Sequence, residues 1–250
     1  MQALIVHSHP EPKSFNAALK DVTLQTLQGL GHGVQVSDLY AEGFDPAEKG
    51  SHYARRADPD VFAALAEQRH ASKTDTLPAD VRREIARLEQ ADLVVLQFPL
   101  WWHGPPAMLK GWLDRVFVSG GLYTSSMRYD RGYFRGKRAR LSVTTGAPEE
   151  VFGPNGRGGD MERLLWPLHY SLYYMGFTVL PPFVAYGIQG HGYGNQEESQ
   201  FRAHLEQIKR DWAERLAVLE QSTPLAFPGW NDWGEDGLAT ADRAAEAAAP

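Results

Sequence analysis

The sequence predicts an α/β protein with a doubly wound parallel sheet. Two observations support this prediction: short apolar runs alternate with longer segments of helical period, and polar or aromatic loops follow the apolar runs. The clearest run, 93–98, is apolar at all but one position and lies between Asp92 and Pro99. A run of this kind is typical of a strand that is buried on both faces.

The other elements alternate along the chain in the same way. We expect five strands, with Pro181 and Pro182 placing the last of them at a sheet edge. The strand order 2-1-3-4-5, with helices on both faces, gives a flavodoxin-like arrangement. The expected strands are 3–6, 34–39, 93–98, 139–145 and 178–186, and the expected helices are 15–30, 78–90, 109–117, 161–175 and 201–219.

Composition narrows the function classes. The chain has 250 residues, no cysteine and a net charge of −6, which excludes a disulfide or thiolate site and argues against a nucleic-acid partner. No apolar run approaches the ~20 residues that a membrane span needs. The sequence also lacks a basic segment followed by a long apolar run, as a signal peptide has. We therefore expect a cytoplasmic protein without a membrane span, and we find no spacing that predicts a metal site.

The chain reads as one ligand-binding domain, 1–228, followed by a C-terminal tail, 229–250. An irregular excursion at 40–78 interrupts the domain and contains one short helix near 61–68. Excursions of this length are usually functional or part of an assembly surface. Trp230 and Trp233 are too apolar for a free tail and should dock on the domain, whereas 239–250 is expected to be disordered.

The loop after the first strand is rich in hydrogen-bond donors. His9, Lys13, Ser14 and Asn16 stand where a helix begins, and a helix N-terminus attracts anions. The loop contains neither of the glycine-rich phosphate motifs, so its donors would be side chains as well as backbone. One interpretation is a phosphate or diphosphate site, and the alternative is a set of solvated loop residues.

The loops after two further strands offer different chemistry. Trp101, Trp102 and His103 present flat faces for a planar ligand, although paired tryptophans could also belong to the core. Thr144 and Gly146 lie at the end of the next strand, beside the aromatic loop if the strand order is correct. A phosphate end and a planar end in one cleft describe a flavin nucleotide.

These residues resemble a known family, the NAD(P)H:quinone oxidoreductases of the DT-diaphorase type. The matching motifs occur in the family's order over nearly the whole chain, and together they are specific. They are Ala3-Leu-Ile-Val6, His9, Ser14-Phe-Asn16, Gln97-Phe-Pro-Leu-Trp-Trp-His-Gly104, Pro106-Ala-Met-Leu-Lys-Gly-Trp112, Arg115-Val-Phe117, Phe134-Arg-Gly-Lys137, Ser142-Val-Thr-Thr-Gly146, Gly159-Asp-Met161, Leu165-Trp-Pro167, Gly176-Phe177 and Thr223-Pro-Leu225.

The resemblance implies a homodimer with a flavin in each of two interface sites. It also implies two-electron, ping-pong hydride transfer from NAD(P)H through the flavin to a quinone or a similar planar acceptor. The residues that it assigns to the flavin are His9, Lys13, Phe15, Asn16, Ala18, Pro99, Leu100, Trp101, Trp102, His103, Thr144, Thr145, Gly146 and Ala147. Those assigned to the pocket shared by nicotinamide and quinone are Trp102, Tyr123, Phe152, Met175 and His191.

The chain departs from the family at the residues thought to manage charge on the reduced flavin. Phe152 and Gly158 stand where animal members have a Tyr and a His, and Ser125 replaces a second Tyr near Tyr123. Phenylalanine cannot donate a hydrogen bond and glycine cannot take a proton. We hypothesise that His103 or Arg157 provides the missing positive charge or proton.

The excursion and the tail aromatics match the longer members of the family that use FAD, so FAD is favoured over FMN. Two other functions stay open. Some relatives act as regulatory, ancillary flavoproteins of potassium efflux systems. A one-electron flavodoxin carrier is the third reading, and the Trp-Trp-His loop argues against it because a carrier leaves its flavin edge exposed to a partner protein.

Overall fold

The computed structural model describes residues 1–189 and 197–240. Its centre is a parallel sheet in the order β2-β1-β3-β4-β5, with a sixth short strand paired to β4. The predicted fold and strand order are confirmed. The strands are β1 Gln2–His7, β2 Gly33–Asp38, β3 Leu93–Pro99, β4 Arg138–Thr144, β5 Thr178–Val179 and β6 Phe183–Ala185; the helices are α1 Phe15–Gly29, α2 Ala64–Lys73, α3 Ala79–Gln90, α4 Ala107–Val116, α5 Met161–Tyr174 and α6 Glu198–Ala217.

Two hydrophobic cores cover the two faces of the sheet. Leu93 and Val95 of β3 face the layer of α1 and α6, where Trp212 is fully buried. Val94 and Leu96 point the other way, into the layer of α3, α4 and α5. This alternation follows from the period of two along a strand and explains why β3 is apolar on both sides. No helix in the described ranges combines the length and apolarity that a membrane crossing requires.

The predicted fifth strand, 178–186, is corrected to two short strands. β5 pairs with the start of β4 at Thr178, and β6 pairs with the end of β4 at Ala185. Between them lie Pro181 and Pro182, which have no N–H to donate to a ladder. The prolines do occupy a sheet edge, as expected, but they also break the strand that they mark.

The excursion at 40–78 is held to the domain by buried polar contacts. Its helix lies at Ala64–Lys73, a few residues later than predicted. Gln68 joins this helix to the end of α4, because its Nε2 donates to Asp114 O at 2.9 Å and its Oε1 accepts from Ser119 N at 3.0 Å. Within the excursion itself, Glu67 is buried and accepts from Arg56 Nε at 2.7 Å.

The end of the domain and the start of the tail pack on an aromatic cluster, as the composition predicts. Phe227 stacks on Tyr173 with ring centroids 4.5 Å apart, and Trp233 lies 4.6 Å from Tyr129. The chain then folds back, and Thr240 N donates to Asp232 O at 2.8 Å. Residues 241–250, most of the segment expected to be disordered, lie outside the described residues.

Candidate functional site

The loops after β1, β3 and β4 meet at the carboxyl edge of the sheet because these three strands are neighbours. Backbone bonds tie them together: Ser8 N donates to Gln97 O at 2.9 Å, and Leu100 N donates to Thr144 O at 2.8 Å. The side chain of Asn16 completes the junction, since its Nδ2 donates to Thr144 Oγ1 at 2.9 Å. The sequence prediction that these loops form one cleft is confirmed.

A buried polar layer lies beneath the cleft. Gln97 Nε2 approaches Asn16 Oδ1 at 3.3 Å and Ser142 O at 3.2 Å. His7 and Ser8 are buried beside it, and burial lowers the pKa of His7 to about 4, so its imidazole is neutral at physiological pH. Sequence reasoning treated Gln97 only as part of a motif. Its place within a buried strand, where polar residues are rare, could have marked it.

The first loop prepares the N-terminus of α1 for an anion. Ser14 is the N-cap, and its Oγ accepts from Ala17 N at 3.1 Å. The N–H groups of Phe15 and Asn16, in the first helical turn, have no carbonyl partner within the helix. Lys13 is exposed next to them. Together they offer backbone donors and one cation at the edge of the cleft, beside the carboxylate of Glu11, whose Oε1 accepts from Lys13 N at 2.8 Å.

His9 links the first loop to the aromatic loop. Its Nδ1 accepts from Glu11 N at 3.0 Å, and its ring meets Trp101 edge-on with centroids 5.8 Å apart. Burial lowers the pKa of His9. A neutral His9 with its Nδ1 occupied has only Nε2–H to offer as a donor.

The aromatic loop is a tight two-residue turn. Trp101 N donates to Gly104 O at 3.0 Å, and Gly104 N returns a bond to Trp101 O at 3.1 Å. Between them Trp102 and His103 both have positive φ, 50° and 61°, which is the signature of a type I′ turn. Trp102 is 98% exposed. The paired tryptophans are therefore not core residues, and the indole of Trp102 extends away from the protein body.

The backbone of the loop after β4 borders the cleft. Thr145 N donates to Ala185 O and Gly187 N donates to Ala147 O, both at 2.9 Å, which fixes the loop against the chain that leaves β6. The side chain of Gln189 lies across Gly146, so that a Cβ at this glycine would collide with Gln189 Oε1. Sequence reasoning missed Gln189, and no local pattern marks it.

The fold brings only some of the residues predicted for the substrate pocket together. Tyr123 and Met175 line one cavity of about 430 Å³, together with His103, which the resemblance assigned to the flavin, whereas Trp102 is not among its lining residues. Phe152 is not among the residues that line it and packs instead against Tyr186, with centroids 5.5 Å apart. His191 lies outside the described residues. The excursion contributes Leu65 and Gln68 to the lining of this cavity, which was not expected. Tyr170 and Tyr174 of α5 also line the cavity.

Phe152 and Gly158, the two residues at which the chain departs from the family pattern, lie close together. Gly158 N donates to Val151 O at 2.8 Å, and a Cβ on Gly158 would lie 3.1 Å from the ring of Phe152. A histidine at this position would therefore crowd the phenylalanine. Arg157 is exposed in the same loop, which is closed by a 2.9 Å bond from Gly153 N to Gly159 O.

The donor set fits a flavin nucleotide better than a metal ion. Within the part of the chain that the structure describes, no three His, Asp or Glu side chains converge as a metal site would require. The cleft instead combines an anion-binding helix terminus, exposed indoles and free space beside Gly104. The buried Oγ of Ser8 and Nδ1 of His7 also lack partners at the base of the first loop. An anionic group and a flat ring system suit this arrangement.

Comparisons with known proteins agree with the fold. A family model described as flavodoxin-like fold matches residues 1–211. NAD(P)H dehydrogenase (quinone) 1 from Cavia porcellus is 41% identical over 228 residues, covering 90% of this chain and 80% of the relative. Ribosyldihydronicotinamide dehydrogenase (quinone) from Mus musculus is 38% identical over 232 residues, 92% and 96% of the two chains.

Among solved structures, a candidate quinone reductase from Klebsiella pneumoniae superposes with a TM-score of 0.85 at 35% identity. The alignment covers 97% of this chain and 95% of that one. The chain is therefore a flavodoxin-like α/β protein, and it belongs to the family of the NAD(P)H dehydrogenases that reduce quinones. The resemblance that its motifs indicate is confirmed.

Proposed function

We propose that the protein is a flavin-dependent NAD(P)H:quinone oxidoreductase. One observation supports this most directly: a capped helix N-terminus and a pair of exposed tryptophans lie on adjacent loops of one cleft. The bound flavin would supply the redox chemistry, accepting a hydride from the nicotinamide and passing it to a planar acceptor in a separate half-reaction. The protein contributes binding, orientation and charge.

The first loop would hold the phosphate groups. The N–H groups of Phe15 and Asn16 would donate to the anion, Lys13 would add a charge, and His9, which contacts Trp101, would offer its Nε2–H. Ser14 keeps the helix terminus in place, and Ala18 lies one turn further along the helix.

The ring system would be held between the other two loops. Pro99, Leu100 and the aromatic turn form one wall, with Trp101 and Trp102 providing flat apolar surface. Beside it, the Thr144–Ala147 segment would contribute the N–H of Gly146 and a threonine hydroxyl, because the N–H groups of Thr145 and Ala147 already donate to Ala185 O and Thr145 Oγ1. Donors fixed in this way can stabilise negative charge that develops on the polar edge of a reduced ring.

The acceptor and the nicotinamide would share the cavity of His103, Tyr123 and Met175. Its aromatic and apolar lining suits flat, electron-poor molecules such as quinones. A second copy of the chain would cover Trp102, because an indole with 98% exposure is unusual on an isolated surface. The proposal thus includes a homodimer with shared sites, and it keeps the cytoplasmic location expected from the sequence.

Charge on the reduced ring would be balanced by His103 or Arg157, since Phe152 and Gly158 cannot do so. His103 is exposed in the aromatic turn and borders the acceptor cavity. Alanine variants of His103 and Arg157, each assayed in the two half-reactions separately, should lower the rate of flavin reduction for whichever residue supplies the charge. Unchanged rates in both variants would show that neither does.

The main experiment is to purify the protein, saturate it with flavin and identify the bound cofactor after heat release. We expect FAD rather than FMN, a yellow protein, and rapid NADPH or NADH oxidation when menadione is added. A protein that stays colourless and takes up neither flavin would overturn the proposal. A stable one-electron intermediate would favour a carrier, and slow turnover with a co-purifying potassium efflux protein would favour the regulatory role.

A further inference from the structure

A second cavity, of about 500 Å³, lies between α5, the chain from β5 to β6 and the segment around Leu225. Its volume is in the range of small-molecule sites. Leu165 and His169 of α5 line it, whereas Leu164 and Leu168 line the acceptor cavity. The two cavities thus lie on different faces of this helix and share no lining residue among those that the structure describes. We propose that the second cavity binds a neutral, flat hydroxyaromatic molecule, such as a phenol or a naphthol.

The proline break at the sheet edge creates this space. Pro181 and Pro182 leave the ladder between β5 and β6, and both line the cavity. The segment that follows α6 reaches the same edge, where Leu225 N donates to Val179 O at 2.9 Å. Leu225 and Ala226 form a further wall. The backbone therefore fixes the cavity on two sides, and the space does not depend on side-chain rotamers alone.

His169 is the buried polar side chain of this cavity. It is 4% exposed, and its Nε2 is buried without a hydrogen-bond partner in the described ranges. Burial lowers the pKa of His169 to about 4, so its imidazole is neutral at physiological pH. A buried polar atom that makes no hydrogen bond destabilises the structure around it. A ligand that brings a hydrogen-bonding group to this imidazole would remove that cost.

A hydroxyl group suits His169 in either tautomer. A phenolic O–H donates to the bare ring nitrogen, and its oxygen accepts from the ring N–H, whereas an ether can only accept. The charges around the cavity disfavour an anionic ligand. Glu149 and Glu162 line it and are exposed, and no Lys or Arg from the described part of the chain lines it. The expected ligand is therefore uncharged and has a hydroxyl group.

The other walls favour a flat, apolar body for the ligand. Trp166 of α5, Phe183 of β6 and Tyr186 after it contribute aromatic rings, which favour a flat partner in stacked or edge-to-face contact. Trp166 is 49% exposed, so a ligand would cover apolar surface that water now reaches. The inference does not rest on the proposed redox function, because no residue assigned to the flavin or to the acceptor lines this cavity.

The test is equilibrium dialysis of the purified, full-length protein against naphthol and, separately, against naphthalene, which has the same rings without the hydroxyl. We expect His169→Phe to lower the ratio of naphthol affinity to naphthalene affinity by about three- to tenfold, the range for one neutral hydrogen bond. His70→Phe is the matched control and should leave the ratio unchanged, because His70 lies on α2 and lines neither cavity. Naphthoate should bind more weakly than naphthol and gain affinity in Glu162→Gln.

Two further measurements separate this cavity from the acceptor cavity, which also suits flat rings. Ala226→Trp, at an exposed wall position, should fill the second cavity and weaken naphthol more than Tyr123→Ala does in the acceptor cavity. Naphthol should also shift the imidazole signals of His169 in an NMR spectrum, where their loss in His169→Gln assigns them. An unchanged affinity ratio in His169→Phe, a larger loss in Tyr123→Ala than in Ala226→Trp, or imidazole signals that stay in place would each overturn the inference. If His169→Phe does not fold, Ala226→Trp and the imidazole signals decide the result.

Discussion

Asn16 and Thr144 join the first turn of α1 to the end of β4 through a buried 2.9 Å hydrogen bond. This bond fixes the distance between the anion-binding loop and the loop proposed for the ring edge. Asn16→Ala removes it and also the contact with Gln97, so we expect a loss of about 1–3 kcal/mol in the free energy of unfolding. Urea unfolding measures this loss.

The same variant should bind flavin more weakly, because the loops are no longer held in register. Gln35→Ala is a suitable control, since Gln35 makes an exposed side-chain bond to Gln90 at 3.0 Å, far from the cleft. If both variants bind flavin as the parent protein does, the Asn16 bond has no part in the site.

Substitution of Trp102 in the aromatic turn should weaken ligand binding without lowering the stability of the fold. Trp102 holds a left-handed conformation that costs an L-residue about 1–2 kcal/mol, yet its exposed ring packs on little. At a protein concentration low enough to keep the chain monomeric, Trp102→Gly should therefore unfold at the same denaturant concentration or a higher one. Flavin affinity should fall by up to about tenfold, the upper range for aromatic stacking.

Fluorescence titration with flavin checks this expectation. Trp166, which is 49% exposed on α5, provides a tryptophan control because it lines a different cavity from the one that His103 borders. Trp166→Ala should alter stability and spare flavin affinity. A larger loss of flavin affinity in Trp166→Ala than in Trp102→Gly would contradict the assigned role of Trp102.

Glu84 connects three elements by buried bonds. Its carboxylate accepts from Ser37 at 2.6 Å, from Trp112 Nε1 at 3.0 Å and from Arg87 at 2.7 Å. Glu84→Ala strands these donors in the core, so we expect a loss of about 3 kcal/mol or more in the free energy of unfolding. Glu89→Ala, on the exposed side of the same helix, should cost below about 1 kcal/mol. Similar losses for both would show that water reaches the Glu84 site.

Stability should fall in mild acid because of His169. Burial lowers the pKa of this side chain from 6.5 to about 4. The unfolded chain therefore takes up a proton at higher pH than the native state does, and stability is lost as the pH falls from 6.5 toward 4. The full effect is about 3 kcal/mol for one such group. His7, shifted in the same direction, adds to the trend.

His169→Phe should flatten part of this dependence, because a phenyl ring has no proton to take up. The side chain borders a cavity of about 500 Å³, which leaves room for the larger ring. Denaturant unfolding at about pH 7.5 and about pH 5 gives the comparison. An unaltered difference between the two pH values would assign the acid sensitivity elsewhere.

The centre of the sheet could be predicted because β1 to β4 can each be recognised from a short stretch of sequence. The run at 93–98 is apolar on both faces, and donors, aromatics and threonines follow successive strands. Once the strands are parallel, their carboxyl ends share one edge and the three loops must meet. The cleft thus follows from periodicity and strand order, without knowledge of any distant contact.

Other features depend on partners that a local pattern does not show. The excursion is fixed by Gln68 and Glu67, whose partners lie up to 51 positions away. The type I′ turn at Trp102 and His103 lacks the Asn-Gly signature of such turns, so its geometry could not be expected. Phe152 does not line the predicted pocket, because its ring packs instead against Tyr186, at the end of another strand.

The two prolines between β5 and β6 also limit how copies of this chain can assemble. An open sheet edge invites another strand, and growth by repeated edge pairing leads to fibres. Pro181 and Pro182 offer no amide hydrogens there. The strands on either side of them, β5 and β6, are too short to pair with a strand of another copy. Association on this side would therefore depend on contacts between side chains and not on a backbone ladder continued from one copy to the next.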